Sequence, residues 1–200
     1  MKKAKIAVLV SGGGTNLQAL IDAQHEGILK SGEIKLVISN RSDAYAIERA
    51  KAAGIRAEVI TKKACGGQDA WEDKLIETLE EAETDLIILA GFLSILTKKF
   101  TDRFSRRIIN VHPALIPSFC GEGMYGLKVH EAALAKGVKV TGATVHYVNE
   151  IPDGGEIILQ QAVKVRLGDT PEVLQQRVMR QAEWIILPKA AEMISKEIIK

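Results

Sequence analysis

Cysteine is scarce in this chain, with only Cys65 and Cys120 among 200 residues. Two thiols without metal-ligand spacing make neither a disulfide framework nor a zinc site, and they suit a reducing compartment, the cytoplasm. An excess of one charge is also lacking. Lys and Arg total 27 against 25 for Asp and Glu, a net of +2, so nothing suggests a footprint for nucleic acid or an anionic membrane. Long apolar runs are missing too, since "LIILAGFLSIL" (residues 86–96) is well short of a membrane span. The start "MKKAKIAVLV" has too short an apolar run for a signal peptide and enters glycines without a cleavage-type site, so it reads as a strand. No histidine pair has HExxH-like spacing, and no metal is expected. Internal repeats, linkers and low-complexity tracts are absent as well. What remains is 46% hydrophobic and 26% charged. That suits one soluble domain over residues 1–200, long enough to bury ~70% of its unfolded surface.

The order of patterns carries more. Short apolar runs with β-branched residues at 5–10, 34–39, 56–60, 85–90 and 107–111 predict strands. Between them, segments 16–26, 44–53 and 69–83 carry helical spacing, and Gly54 ends the second of these. Apolar strands alternating with helices predict a mostly parallel sheet with helices on both faces, an α/β architecture of Rossmann-like kind. The second half differs. A helix at 127–136 leads to two long β-rich runs, 139–148 and 155–165, around a Pro-Asp-Gly-Gly turn, which predicts an antiparallel pair. A long C-terminal helix then opens with Asp169 or Thr170 as N-cap and Pro171 in its first turn.

Three stretches carry candidate chemistry. "VSGGGTNL" (residues 10–17) joins the first strand to the first helix, where glycines permit close backbone approach and free N–H groups attract an anion. Leu17 breaks the dinucleotide fingerprint and no Gly-Lys-Ser/Thr follows, so a phosphate on a small substrate fits better than a dinucleotide. A plain tight turn would use the same glycines. In "RIINVHPALIP" (residues 107–117), Asn110 and His112 lie two apart on a strand end and so share a face at the border of the ligand crevice. Prolines 113 and 117 stiffen the loop beyond them. An amide beside an imidazole suits acyl chemistry, one group stabilising an oxyanion while the other moves a proton. In "HYVNEIPDGG" (residues 146–155), Asp153 can reach an imidazole and stabilise its protonated form, although Asp-Gly is also a common hairpin turn. His146 would orient that turn, while His25 and His130 read as surface residues on helices. "LAGFLSIL" (residues 89–96) is either core or an apolar slot for a flat ring.

Together these stretches resemble the phosphoribosylglycinamide formyltransferase family of folate-dependent enzymes. "SGGGTNLQALI" resembles its phosphate loop, "LAGFLSIL" its folate-pocket segment, "INVHPALIPSF" its catalytic strand end and "HYVNEIPDGG" its H-x-V-x-x-x-x-D-x-G pattern, in order from about residue 5 to 196. The resemblance implies transfer of a formyl group from 10-formyltetrahydrofolate, as co-substrate, to the glycine amine of glycinamide ribonucleotide in purine biosynthesis. It implies Asn110 at the formyl oxygen, His112 as general acid and Asp153 paired with His112. Gly14, Thr15 and Asn16 would meet the substrate phosphate, with Glu183 near its ribose. Leu93, Ser94, Ile95 and Leu96, with Asn149, Glu150, Ile151, Pro152 and Asp153, would line the pterin pocket. Where the family often has Arg or Lys for the folate tail this chain has Gln68, with Lys62 or Lys63 as possible substitutes, and loop 120–134 is longer than in many relatives. Small molecules are the expected partners, without nucleic acid or membrane, for a monomer or homodimer. Formyltetrahydrofolate hydrolase shares the catalytic set but normally carries an extra N-terminal domain. Methionyl-tRNA formyltransferase normally has a further C-terminal domain and lacks this phosphate loop. A non-catalytic nucleotide-binding module would need the glycines but not the trio.

Overall fold

The computed structural model describes residues 2–200. In chain order the elements are β1 (Ala4–Val10), α1 (Thr15–His25), β2 (Gly32–Ser39), α2 (Ala46–Ala52), β3 (Arg56–Val59), α3 (Lys62–Cys65), α4 (Gln68–Glu81), β4 (Leu86–Leu89), α5 (Lys98–Arg103) and β5 (Ile108–His112). Then follow α6 (Leu127–Lys136), β6 (Val140–Tyr147), β7 (Ile157–Lys164), α7 (Pro171–Val178), a π-helical turn (Met179–Glu183) and α8 (Trp184–Ile198). The strands form one seven-stranded sheet in the order β3-β2-β1-β4-β5-β6-β7. Pairings from β3 through β5 are parallel, and β6 runs antiparallel to both β5 and β7.

Alternation along each buried strand builds two cores. Ile6, Val8 and Val10 of β1 and Leu86 and Ile88 of β4 pack with Leu17, Leu20, Leu187 and Ala191 on one face. Their neighbours Ala7, Leu9, Ile87 and Leu89 pack with Trp71, Leu75 and Phe100 of α4 and α5 on the other. Because both faces are covered, the central strands read as unbroken apolar runs. Each fully buried Leu or Ile contributes roughly 1.5–3 kcal/mol.

After β1 the chain builds outward to β2 and β3, then returns to place β4 on the other side. That reversal opens a crevice at the carboxyl ends of β1 and β4, the usual ligand position in such sheets. The C-terminal helix departs from the expected single run. Thr170 caps it, its hydroxyl accepting from the Val173 N–H, and Pro171 follows. Asp169 instead pairs with Arg177. A wide π turn over Met179–Glu183 then interrupts the helix, and Pro188, lacking an N–H, lies inside α8.

Candidate active site

The first wall of the crevice is the turn out of β1. Gly14 caps α1 with φ +73°, and a Cβ built there would lie 2.7 Å from the Ala46 Cβ, so only glycine fits. The Ala46 N–H donates to the Gly12 carbonyl, and the Arg49 guanidinium donates to that of Gly13 at 2.8 Å. With both carbonyls held from behind, the N–H groups at the head of α1 are available to an anion. The Asn16 amide donates to the Glu183 carboxylate at 2.7 Å, across 167 positions of chain. Burial drives the Glu183 carboxyl up to about 7, against the opposing pull of Asn16.

The second wall is the loop after β4. The Leu93 N–H donates to the Ser11 hydroxyl at 2.9 Å, and the Asn40 amide to that of Ser94 at 2.7 Å. Phe92 stacks on Trp71 with ring centroids 6.1 Å apart. Glu72, fully buried, accepts from both the N–H and the hydroxyl of Thr97. The Gln68 amide is spent on Glu72 at 2.7 Å and on the Ile95 carbonyl at 3.3 Å, and Gln68 lies outside the cleft lining.

The third wall carries the titratable groups. Ile109 and Val111 face the helix core, which turns Asn110 and His112 toward the crevice. Antiparallel pairing sets His146 directly opposite Asn110 and Thr144 opposite His112. Thr144 pins the loop beyond His112, donating to the Ala114 carbonyl at 2.7 Å and accepting from the Ile116 N–H at 3.1 Å. Asp153, at φ +54° in the β6–β7 loop, brings one carboxylate oxygen to 3.4 Å from His112 Nδ1 and the other to 3.5 Å from His146 Nε2. The Gly121 N–H also donates to Asp153 at 2.9 Å. His112 Nε2 donates to the Phe119 carbonyl at 2.8 Å.

Electrostatics here depart from the sequence expectation. Burial pulls the His112 imidazole below its ordinary value, outweighing the upward influence of Asp153. Asp153 itself stays below the usual carboxylate value. Burial pushes it up, but the adjacent His146 ring, the hydrogen bond from Gly121 and the charge of His112 prevail. One histidine is also corrected. His130 is fully buried in α6 rather than on the surface, with burial driving it to about 4 and neither ring nitrogen hydrogen-bonded. Leu127, Ala133 and Leu134, at helical spacing from it, are the signal that this face turns inward. His146, 2% exposed, lies against Asn110 across the strands at 3.1 Å as well as 3.5 Å from Asp153 of the turn. His25 is exposed as expected.

These walls enclose a cleft of about 570 Å³. It gathers Gly14, Thr15, Asn16, Glu183, Leu93, Ser94, Ile95, Leu96, Asn110, His112, Asn149, Glu150, Ile151, Pro152 and Asp153. Sequence reasoning missed Met124, Tyr125, Gln175 and Met179, which also line it. Among the described residues no group of three or more His, Cys, Asp or Glu is placed to hold a metal. No helix among them is long and apolar enough to cross a membrane.

An amide, an imidazole–carboxylate pair and the open N–H groups of a helix start meet on a switched α/β sheet, and the chain belongs to the formyl transferase family, whose model matches residues 4–191. Within that family it is similar to phosphoribosylglycinamide formyltransferase of Haemophilus influenzae, at 43% identity over 184 residues, covering 92% of this chain and 84% of that protein. The trifunctional purine biosynthetic protein adenosine-3 of Bos taurus is 43% identical over 199 residues, and the chain spans 19% of its length. The crystal structure of glycinamide ribonucleotide transformylase 1 from Symbiobacterium toebii superposes with a TM-score of 0.91 at 40% identity, covering 98% of this chain and 89% of that one.

Proposed function

We propose that residues 1–200 act as one domain that transfers the formyl group of 10-formyltetrahydrofolate to the glycine amine of glycinamide ribonucleotide. The observation that carries this reading is the convergence of Asn110, His112 and Asp153 in the same cleft as the Gly14–Asn16 helix start and Glu183. Backbone N–H groups and Thr15 take the ribonucleotide phosphate, and Glu183, fixed by Asn16, accepts hydroxyls of the ribose. The folate ring enters between the Leu93–Leu96 loop and the 149–153 loop.

Chemistry follows from the third wall. The amine lone pair attacks the formyl carbon, forming the new C–N bond while the carbonyl electrons move to oxygen. Asn110 donates to that oxygen as its charge grows. Collapse breaks the bond to N10 of the folate, which takes up a proton as the attacking nitrogen gives one up. His112 is the proton donor, releasing the Phe119 carbonyl to reach the substrate, and Asp153 favours its imidazolium against the burial that opposes it.

Hydrolysis of the formyl group by water would need the trio but not the glycine loop with its Asn16–Glu183 pair. The assay is direct: purified protein, both substrates, and the absorbance change as the folate is deformylated. Deformylation that requires the ribonucleotide is expected, whereas deformylation in its absence would assign a hydrolase. Asn110→Ala should lower kcat by roughly 10²–10³-fold, the loss typical of one oxyanion donor. The free thiols of Cys65 and Cys120 accord with a cytoplasmic setting.

A further inference from the structure

The geometry points to His146 as the positioning residue that decides which end of the Asn110 amide faces the substrate. This rests on the reading of Asn110 as donor to the formyl oxygen. His146 Nδ1 lies 2.8 Å from the Tyr147 carbonyl oxygen. A carbonyl can only accept, so Nδ1 bears a hydrogen. In the tautomer with that single hydrogen, Nε2 is a bare lone pair, and the Asn110 Nδ2 lies 3.1 Å from it.

An asparagine amide turns about a broad, roughly two-fold torsion and can present either oxygen or NH₂ to a neighbour. Against a lone pair only the NH₂ is tolerated, since the oxygen would face it acceptor to acceptor. One Nδ2 hydrogen is therefore held by His146, and the second is directed at the cleft that Asn110 lines. Among the described residues no other side chain makes a hydrogen bond to the Asn110 amide. The groups facing this ring are Asp153, 3.5 Å from Nε2, and His112 across that carboxylate. A proton on Nε2 would turn to Asp153 and drive the amide round, presenting its oxygen to His146. Register explains why the sequence hid this role. His146 and Asn110 are 36 positions apart, yet directly opposite in the β5–β6 pairing.

The test is a double-variant cycle in the full chain. His146→Leu removes the acceptor, and kcat should fall roughly 10–10²-fold, within the loss of Asn110→Ala itself, with little change in either KM. His146→Gln keeps an acceptor oxygen and should recover much of the rate. In Asn110→Ala the amide is already gone, so adding His146→Leu should lower kcat no further than about threefold. Losses that multiply would show that His146 acts on something other than Asn110 and would overturn the inference. A measurement free of activity and of folding defects covers the wild-type protein. A long-range ¹H–¹⁵N spectrum near pH 7.5 should show His146 with hydrogen on Nδ1 and none on Nε2. An Nε2–H tautomer or a doubly protonated ring would overturn it. Wild-type protein that transfers no formyl group to the ribonucleotide would refute the proposed function, while the tautomer would still decide whether His146 holds Asn110.

Discussion

Replacing Glu183 with glutamine should make the protein more stable at alkaline pH and leave it unchanged at acid pH. Glu183 is 6% exposed, and burial carries its carboxyl from 4.5 to about 7. In the unfolded chain the same group ionises near 4.5. Between these values the folded state holds a proton that the unfolded state has released, so stability falls as pH rises from about 4.5 to about 7. Below that window both states are protonated and no penalty exists. Above it the penalty is complete. At 1.36 kcal/mol per pH unit, the interval between 4.5 and about 7 corresponds to roughly 3 kcal/mol. Glutamine resembles the protonated acid, with one acceptor for the Asn16 amide and one donor group, so the variant avoids the penalty without losing the 2.7 Å bond. Urea unfolding of both proteins from pH 4 to 8.5 measures it. The curves should meet near pH 4.5 and separate by ~3 kcal/mol at pH 8, a melting difference of roughly 6–12 °C for a chain of this length. A constant offset at every pH would refute the reasoning, because it would mean that Glu183 ionises alike in both states. The same variant should bind the ribonucleotide less tightly, since an amide accepts more weakly than a carboxylate.

Asp153→Asn removes the charge that opposes burial at His112, so the imidazole should fall further below its ordinary value. The alkaline limb of the pH–kcat profile should then move to lower pH, and an unmoved limb would leave Asp153 as a turn residue. Gly14→Ala forces an alanine to φ +73° and into Ala46. It should cost ~2 kcal/mol or more, about 1–2 from the left-handed backbone alone, with thermal unfolding and ribonucleotide calorimetry as the readouts. Thr15→Val should weaken ribonucleotide binding while folate affinity holds, and unchanged ribonucleotide affinity in calorimetry would remove Thr15 from the phosphate contacts.

Local chemistry written in contiguous residues was legible in the sequence. The four inner parallel strands declared themselves as apolar runs, because both faces of the sheet are covered there, whereas edge strand β3 (Arg-Ala-Glu-Val) is partly exposed. Asn110 and His112 were legible because a two-residue spacing on a strand fixes a shared face, and Asp153 because its Pro-Asp-Gly-Gly turn stands out between two β-rich runs. Pairing across the fold was not. His146 carries no mark that Asn110 will lie opposite, since the register is set by packing of Ile109, Val111 and Val145 into the helix core. The π turn has no sequence signature, so α7 and α8 read as one helix. The direction of the His112 shift needed the burial of its whole surroundings, which no motif contains.

The bond between Asn16 and Glu183 joins the second element of the chain to one of the last. A ribosome making this protein therefore completes β1, the glycine turn and α1 long before the partner of Asn16 exists. The strand end with Asn110 and His112 follows, and then the Asp153 loop, but the Glu183 side of the cleft stays open until the π turn has emerged. Nascent chains can acquire much of their sheet before the Asn16–Glu183 bond across the cleft can form.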